Sequence, residues 1–253
     1  MATGAGGEVW SRLRAFTAAR IGLARSGASL ATRPLLEFRL APARARDAVH
    51  DTLDRVRLAQ DLAGLGLPAL PLESAAPDRQ TYLMRPDLGR RLHPAAAATL
   101  QPHAGAHDLV IVLIDGLSAR AAQDHGPPLL SGLVPALRAE GWLMAPLILV
   151  HQGRVAISDA VAAELGAGAA LVLIGERPGL SSPDSLGAYL TWRPTPSMTD
   201  ADRNCVSNIR PDGIGYREAG AKLIYLLREM RAHGLSGVAL KDGSARHADE
   251  LGR

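Results

Sequence analysis

A single cysteine in 253 residues leaves no partner for an intramolecular disulfide and no thiolate set for a zinc cluster. Such a composition is expected of a protein kept in a reducing cytosol. Aromatic residues make up only 4% of the chain, and lysine occurs twice, at Lys222 and Lys241. The core must then be built from Leu, Val, Ile and Ala, and the basic charge is carried by arginine. Acids and bases are interleaved and the net charge is only +3, with no run of one sign, which argues against a nucleic-acid footprint. The longest apolar blocks, at 109–114 and 143–150, are far too short to span a bilayer. No secretory signal is visible, because Glu8, Arg12 and Arg14 precede any apolar run. The first seven residues, rich in Gly and Ala, are expected to be frayed.

The familiar signatures of catalysis are missing too. No G-x-G-x-x-G follows a strand, and no G-x-x-x-x-G-K-[ST], H-E-x-x-H or G-x-S-x-G occurs. The eight histidines are scattered without metal-ligand spacing. No metal site and no self-contained catalytic constellation is therefore expected. An apolar content of 47% with 21% charged residues suits a globular protein of one or two domains.

What is present divides near residue 105. From Trp10 to about Leu65 the texture is helical, with Val49, Leu53, Val56 and Ala63 at helical spacing. Pro34 and Pro42 predict several helical pieces there rather than one rod. A Pro-rich loop at 67–79 and an Ala-rich stretch at 93–107 follow, and the second marks the boundary between a helical region, 1–105, and an α/β domain, 106–253. In the latter, DLVIVLID (108–115), APLILVHQ (145–152) and AALVLIGE (169–176) read as buried strands. Helices are predicted from Ala119, capped by Ser118, from 157 to 168, capped by Ser158, and from Tyr216 to a stop at His233 and Gly234. The last of these should bury Ala219, Leu223, Leu226, Leu227 and Met230. GVALK (237–241) reads as a short final strand. Alternating elements of this kind predict a mostly parallel, Rossmann-like sheet covered on both faces.

Three polar positions draw attention. Asp115 ends the first of these strands, where it could face a ligand or serve only as a turn residue ahead of the capped helix. Glu176 ends the third strand, where it could accept hydrogen bonds from a polar ligand or pair with Arg177 or another arginine. Cys205 lies in a polar segment, RNCVSNIRPDG (203–213), that reads as a loop, and a small buried thiol is its default role. No paired histidine base makes it a nucleophile.

GERPGLSSPDS (175–185) and RNCVSNIRP (203–211) closely resemble the small (light) subunit family of ethanolamine ammonia-lyase. The likeness runs in order through ARIGLARSG, TRPLLEF, DRQTYLMRPDLGRRL, DLVIVLIDGLSA and SGVALKD, and covers about 17–242. It implies a helical N-terminal part, a Rossmann-like cobalamin-binding domain, and assembly with a large TIM-barrel subunit. In that partner adenosylcobalamin-dependent radical chemistry converts ethanolamine to acetaldehyde and ammonia. The resemblance further implies cofactor contacts at Val155, Glu176 and Cys205, with no catalytic residue in this chain. D-x-H-x-x-G is missing, so the cofactor is expected to keep its own dimethylbenzimidazole as lower ligand. Pro42 replaces an expected histidine, and the leader is shorter than those of members packaged in bacterial microcompartments, which favours plain cytoplasm. The alternative is a free-standing cobalamin- or nucleotide-binding carrier or reactivation module.

Overall fold

The computed structural model describes residues 5–17 and 19–244. Residues 1–4 of the leader, expected to be frayed, lie outside the described residues. The chain opens with α1 (Ala5–Arg14), a tiny hairpin of β1 (Arg25–Ser26) and β2 (Ser29–Leu30), then α2 (Thr32–His50) and α3 (Arg55–Leu62). β3 (Ala69–Glu73) leads into three short helices, α4 (Arg79–Met84), α5 (Pro86–Gly89) and α6 (Ala96–Leu100). Then come β4 (His107–Ile114), α7 (Ala119–Ala139), β5 (Leu147–His151), α8 (Ile157–Leu165) and β6 (Ala167–Gly175). β7 (Leu186–Trp192), β8 (Asn204–Ile209) and α9 (Tyr216–His233) complete it.

One six-stranded sheet, ordered β3-β5-β4-β6-β7-β8, organises the molecule. The β3–β5, β5–β4 and β4–β6 pairs are parallel, and β7 and β8 add antiparallel pairs. The central strands are apolar throughout because both faces are covered. Leu109, Ile111 and Leu113 of β4 face a core shared with α3, α7 and α9. Val110, Val112 and Ile114 face a second core made with α6 and α8. Each such Leu, Ile or Val contributes on the order of 1.5–3 kcal/mol through burial. β3, from the N-terminal side of position 105, forms the edge of this same sheet.

The helix patterns hold where they carry a full apolar stripe. α9 buries Ala219, Leu223, Leu226, Leu227 and Met230, and Gly234 closes it in a left-handed conformation (φ 69°). Ser118 caps α7 through the Ala121 N–H. Several expectations need correction. α2 continues through Pro42 instead of breaking there, and Val56 is exposed while Leu58 and Leu62 fill the core. Ala156, not Ser158, occupies the cap position of α8, and Ser158 Oγ donates to the Val155 carbonyl instead. The Pro-rich loop contains β3, the polar segment 203–213 expected to be a loop contains β8, and β7 is a further strand. GVALK forms a 3-10 turn, Gly237–Ala239, rather than a strand. Its backbone is taken up by Asn204, whose Oδ1 accepts from Gly237 N and whose Nδ2 donates to the Gly237 and Leu240 carbonyls. Those bonds, with Leu240 N donating to the Gly237 carbonyl, commit backbone groups at both ends of the turn.

Candidate functional site at the carboxyl ends of the central strands

The chain leaves β4 towards β5 and leaves β6 towards β7. Their connections thus depart in opposite directions, and a crevice opens beyond their carboxyl ends, as α/β sheets provide for ligands. The floor is tightly packed: Gly116 (φ 58°) has no room for a Cβ, which would strike the Gly175 carbonyl and Ile174. Leu117 N donates to the Gly175 carbonyl at 2.9 Å, binding the two strand ends together.

Asp115 lies at this floor, 1% exposed. Its Oδ1 accepts from Gln152 N at 2.8 Å, and its Oδ2 sits 2.8 Å from His151 Nδ1 and 4.0 Å from Arg79 Nη1. Gln152 has a positive φ of 57°, a conformation that costs about 1–3 kcal/mol in a residue other than glycine. The carboxylate therefore clamps the turn that leads into Arg154 and Val155. Of its two readings the geometry favours the turn role, since Asp115 holds the Gln152 turn and lines neither of the two hollows described below.

Glu176 is half-buried, and its setting is different. Ser207 Oγ donates to its Oε1 at 2.5 Å and Asn208 N to its Oε2 at 3.2 Å. Both donors come from a bulge in β8: Leu186 pairs with Ile209 and Ala188 with Val206, so two steps on β7 oppose three on β8. Asn208 occupies the left-handed region (φ 60°), which turns its N–H towards the carboxylate. Gly187 supplies the space, since a Cβ there would meet Glu176 Oε1. Among the described residues no cation lies within ion-pairing distance of Glu176, so of its two readings pairing with Arg177 or another arginine is not the arrangement found.

Two hollows meet in this region. One, of about 840 Å³, is lined by Glu176, Gly175, Arg154, Val155, Tyr189 and Arg210 among others, with Phe16, Thr17 and Ala19 at its rim. The other, of about 780 Å³, shares Arg154, Val155 and Tyr189 and adds Arg90, Arg91 and Arg203. Val155 and Glu176 are thus brought together. Cys205 lines neither hollow: it is exposed on the edge strand β8, opposite Tyr189, not buried in a loop. Desolvation raises the Cys205 thiol pKa above its ordinary value, a hydrogen bond with Tyr189 opposes the shift, and the Glu176 charge adds to it. The Tyr189 hydroxyl is likewise raised, chiefly by burial and then by Cys205 and Glu176. Neither group is poised to act as a nucleophile or base near neutral pH.

Sequence reasoning missed Tyr189, which joins the two hollows and links Cys205 to Glu176. It also missed the ion pair beneath the second hollow. Arg203 Nη1 and Nη2 donate to Asp159 at 2.8 and 2.6 Å, with Thr191 Oγ1 accepting at 2.8 Å, and both charged side chains are buried. The apolar alternation of LGAYLTW was a usable signal for Tyr189; nothing local announces Arg203–Asp159, whose partners are 44 positions apart. No group of three or more metal-ligating side chains occurs among the described residues. No described helix is long and apolar enough to cross a membrane.

Residues 7–241 match the family model described as ethanolamine ammonia-lyase light chain (EutC). A protein of Ralstonia nicotianae named ethanolamine ammonia-lyase small subunit is 52% identical over 248 residues, covering 96% of this chain and 92% of its own. Proteins of the same name from Azotobacter vinelandii and Xanthomonas campestris pv. campestris are each 54% identical, over 92% and 94% of this chain and 88% and 89% of theirs. An alignment of that extent takes in the whole sheet, the bulge that serves Glu176 and both hollows, and the chain belongs to the ethanolamine ammonia-lyase small-subunit family.

Proposed function

We propose that this chain is the small subunit of a cytoplasmic ethanolamine ammonia-lyase, and that it holds adenosylcobalamin in the crevice against a large catalytic subunit. The observation that carries the reading is Glu176. This carboxylate stands at a strand end beside a large hollow, held by two donors, and among the described residues no cation lies within ion-pairing distance of it. A carboxylate offers about four lone-pair positions, so acceptor capacity remains for the peripheral amide N–H groups of a corrin. The rest of the lining suits the same group: Val155 and Ile174 offer apolar contact, while arginines and serines surround them. Tyr189 and Cys205 extend the contact surface along β7 and β8. When bound, the cofactor supplies the radical chemistry that converts ethanolamine to acetaldehyde and ammonia.

This chain's residues bind and orient. Glu176 accepts, Val155 packs, and the Asp115 clamp fixes the turn from which Val155 projects. Proton and hydrogen transfer to substrate belongs to the partner, because Tyr189 and Cys205 both hold their protons too firmly to serve as bases.

The test is reconstitution. The isolated chain should show no ethanolamine deaminase activity with adenosylcobalamin. Mixing with the large subunit should give a stable hetero-oligomer with turnover. Turnover by this chain alone, or failure to assemble, would refute the subunit reading and favour a free-standing carrier or reactivation module.

A further inference from the structure

The second hollow is richer in arginine than the first. Arg90, Arg91, Arg154 and Arg203 line it, against two carboxylates, Asp159 and Asp200. Their partners differ sharply. Arg203 is spent on Asp159, and Arg91 reaches Asp87 at 3.4 Å. Among the described residues no carboxylate lies within ion-pairing distance of Arg90 or Arg154, whereas Arg203 and Arg91, on the same hollow, each have one. Arg154 is instead held by packing: its guanidinium lies 4.3 Å from the centroid of the buried Tyr82 ring, and Nη2 makes only a long contact, 3.4 Å, with the Tyr82 carbonyl. Its Nε is buried with no hydrogen-bond partner. A stacked, pre-oriented guanidinium with unused donors is suited to bidentate recognition of a phosphate. It also stands at the seam between the two hollows, lining both.

We infer that the second hollow is a phosphate subsite, with Arg154 as its principal donor and Arg90 as a supporting charge, and that it takes the phosphodiester in the nucleotide tail of the cofactor. The inference rests on the cofactor-holding reading above and divides the molecule between the hollows. The corrin amides face Glu176 in the first, and the anionic tail passes the Arg154–Tyr189 seam into the second. Asp200, an exposed carboxylate, also lines this hollow.

Cobinamide, which lacks the nucleotide tail and its phosphate, separates the two readings. Cyanocobalamin and cobinamide are each titrated by equilibrium dialysis into the assembled complex carrying unsubstituted, R154Q, R154K or R90Q small subunit. Loss of a charge-assisted bidentate contact should weaken cyanocobalamin about 10- to 100-fold in R154Q. R154K, which keeps the charge without the fork, should fall between, and R90Q should lose about threefold as a partly screened charge does. Cobinamide affinity should stay within about twofold in R90Q, and in R154Q should fall several-fold less than cyanocobalamin affinity because Arg154 also lines the corrin hollow, which shows that the variants fold and assemble. Inorganic phosphate should compete with cyanocobalamin and not with cobinamide, and the competition should vanish in R154Q. Equal weakening of both ligands by R154Q, or no weakening of either, would overturn the subsite while leaving the crevice intact. Phosphate binding to a complex already saturated with cyanocobalamin would assign the hollow to a separate free anion and overturn it as well. Failure of the unsubstituted complex to bind either corrinoid would instead overturn the cofactor-holding reading on which it rests.

Discussion

Adjacent strands β4 and β6 each end in a carboxylate, Asp115 and Glu176, yet the two ends behave differently. Asp115 is buried and surrounded by the protein's own partners: a backbone N–H, a histidine and an arginine. Glu176 is half-buried and receives one hydroxyl and one backbone N–H, and among the described residues no cation lies within ion-pairing distance of it. Topology alone nominates both, because both lie at the crevice of an open α/β sheet. What separates them is setting. Asp115 is buried against two basic side chains and lines neither hollow, whereas Glu176 is half-buried beside the first hollow with acceptor positions to spare, which makes it available to a ligand.

The contrast breaks most visibly at Asp115. Asp115→Ala would leave the buried Gln152 N–H without its acceptor and remove the carboxylate that sits beside His151 and Arg79. The expected loss is about 3 kcal/mol or more of folding stability. The strained Gln152 turn should relax at the same time. Thermal melting of the chain measures it, and a melting temperature unchanged within error would show that Asp115 is no clamp.

Glu176→Ala should reverse the pattern. Cofactor affinity of the assembled complex should fall by about 1–3 kcal/mol, roughly 5- to 150-fold, as a ligand donor goes unpaired. Glu176→Gln, which keeps one acceptor oxygen, should lose less. Saturating cofactor should restore most of kcat, the pattern of lost ground-state binding. Stability should change by under about 1 kcal/mol, because Ser207 is exposed and can turn to water. A lowered melting temperature with unaltered cofactor Kd would make Glu176 a second Asp115 and withdraw it as a ligand contact.

How legible this contrast is in the sequence depends on range. Strands β4, β5 and β6 announce themselves through unbroken apolar runs, and α9 through a stripe that buries five predicted residues and stops at Gly234. β8 does not, because an edge strand with a bulge buries only Val206 and Ile209, and NCVSNI shows no strand alternation. GVALK misleads in the other direction: its composition favours a strand, and only Asn204, some 33 positions away, diverts its backbone into a turn. The two roles open to Asp115 and to Glu176 could not be separated from spacing, since the deciding partners, His151 and Ser207, arrive through the fold. Glu176, Val155 and Cys205 were reached through the family resemblance, whereas Tyr189, Arg154 and Arg203 become visible only as neighbours in space.

The smallest expected effect tests whether the Glu176 charge is felt beyond its own hydrogen bonds. Cys205 is the only thiol in the chain, so its alkylation gives an unambiguous signal. Its thiol is raised above the usual 9.0, first by desolvation and further by the Glu176 charge, while the Tyr189 hydrogen bond pulls the other way. The thiolate is the form that reacts, so iodoacetamide should modify the native chain more slowly at pH 8 than it modifies free cysteine, with the rate climbing only at higher pH. Glu176→Gln removes the repelling charge, which should shift the rate profile to lower pH and speed the reaction at pH 8. Tyr189→Phe removes the hydrogen bond that favours the thiolate, which should shift the profile upward and slow it. Each change should be less than about tenfold in rate, corresponding to under one unit of pKa. The opposite signs are the informative part, because general loosening of the edge strand would accelerate alkylation in both variants. Two variants that both react faster would show that exposure of β8, and not the charge of Glu176, governs the thiol.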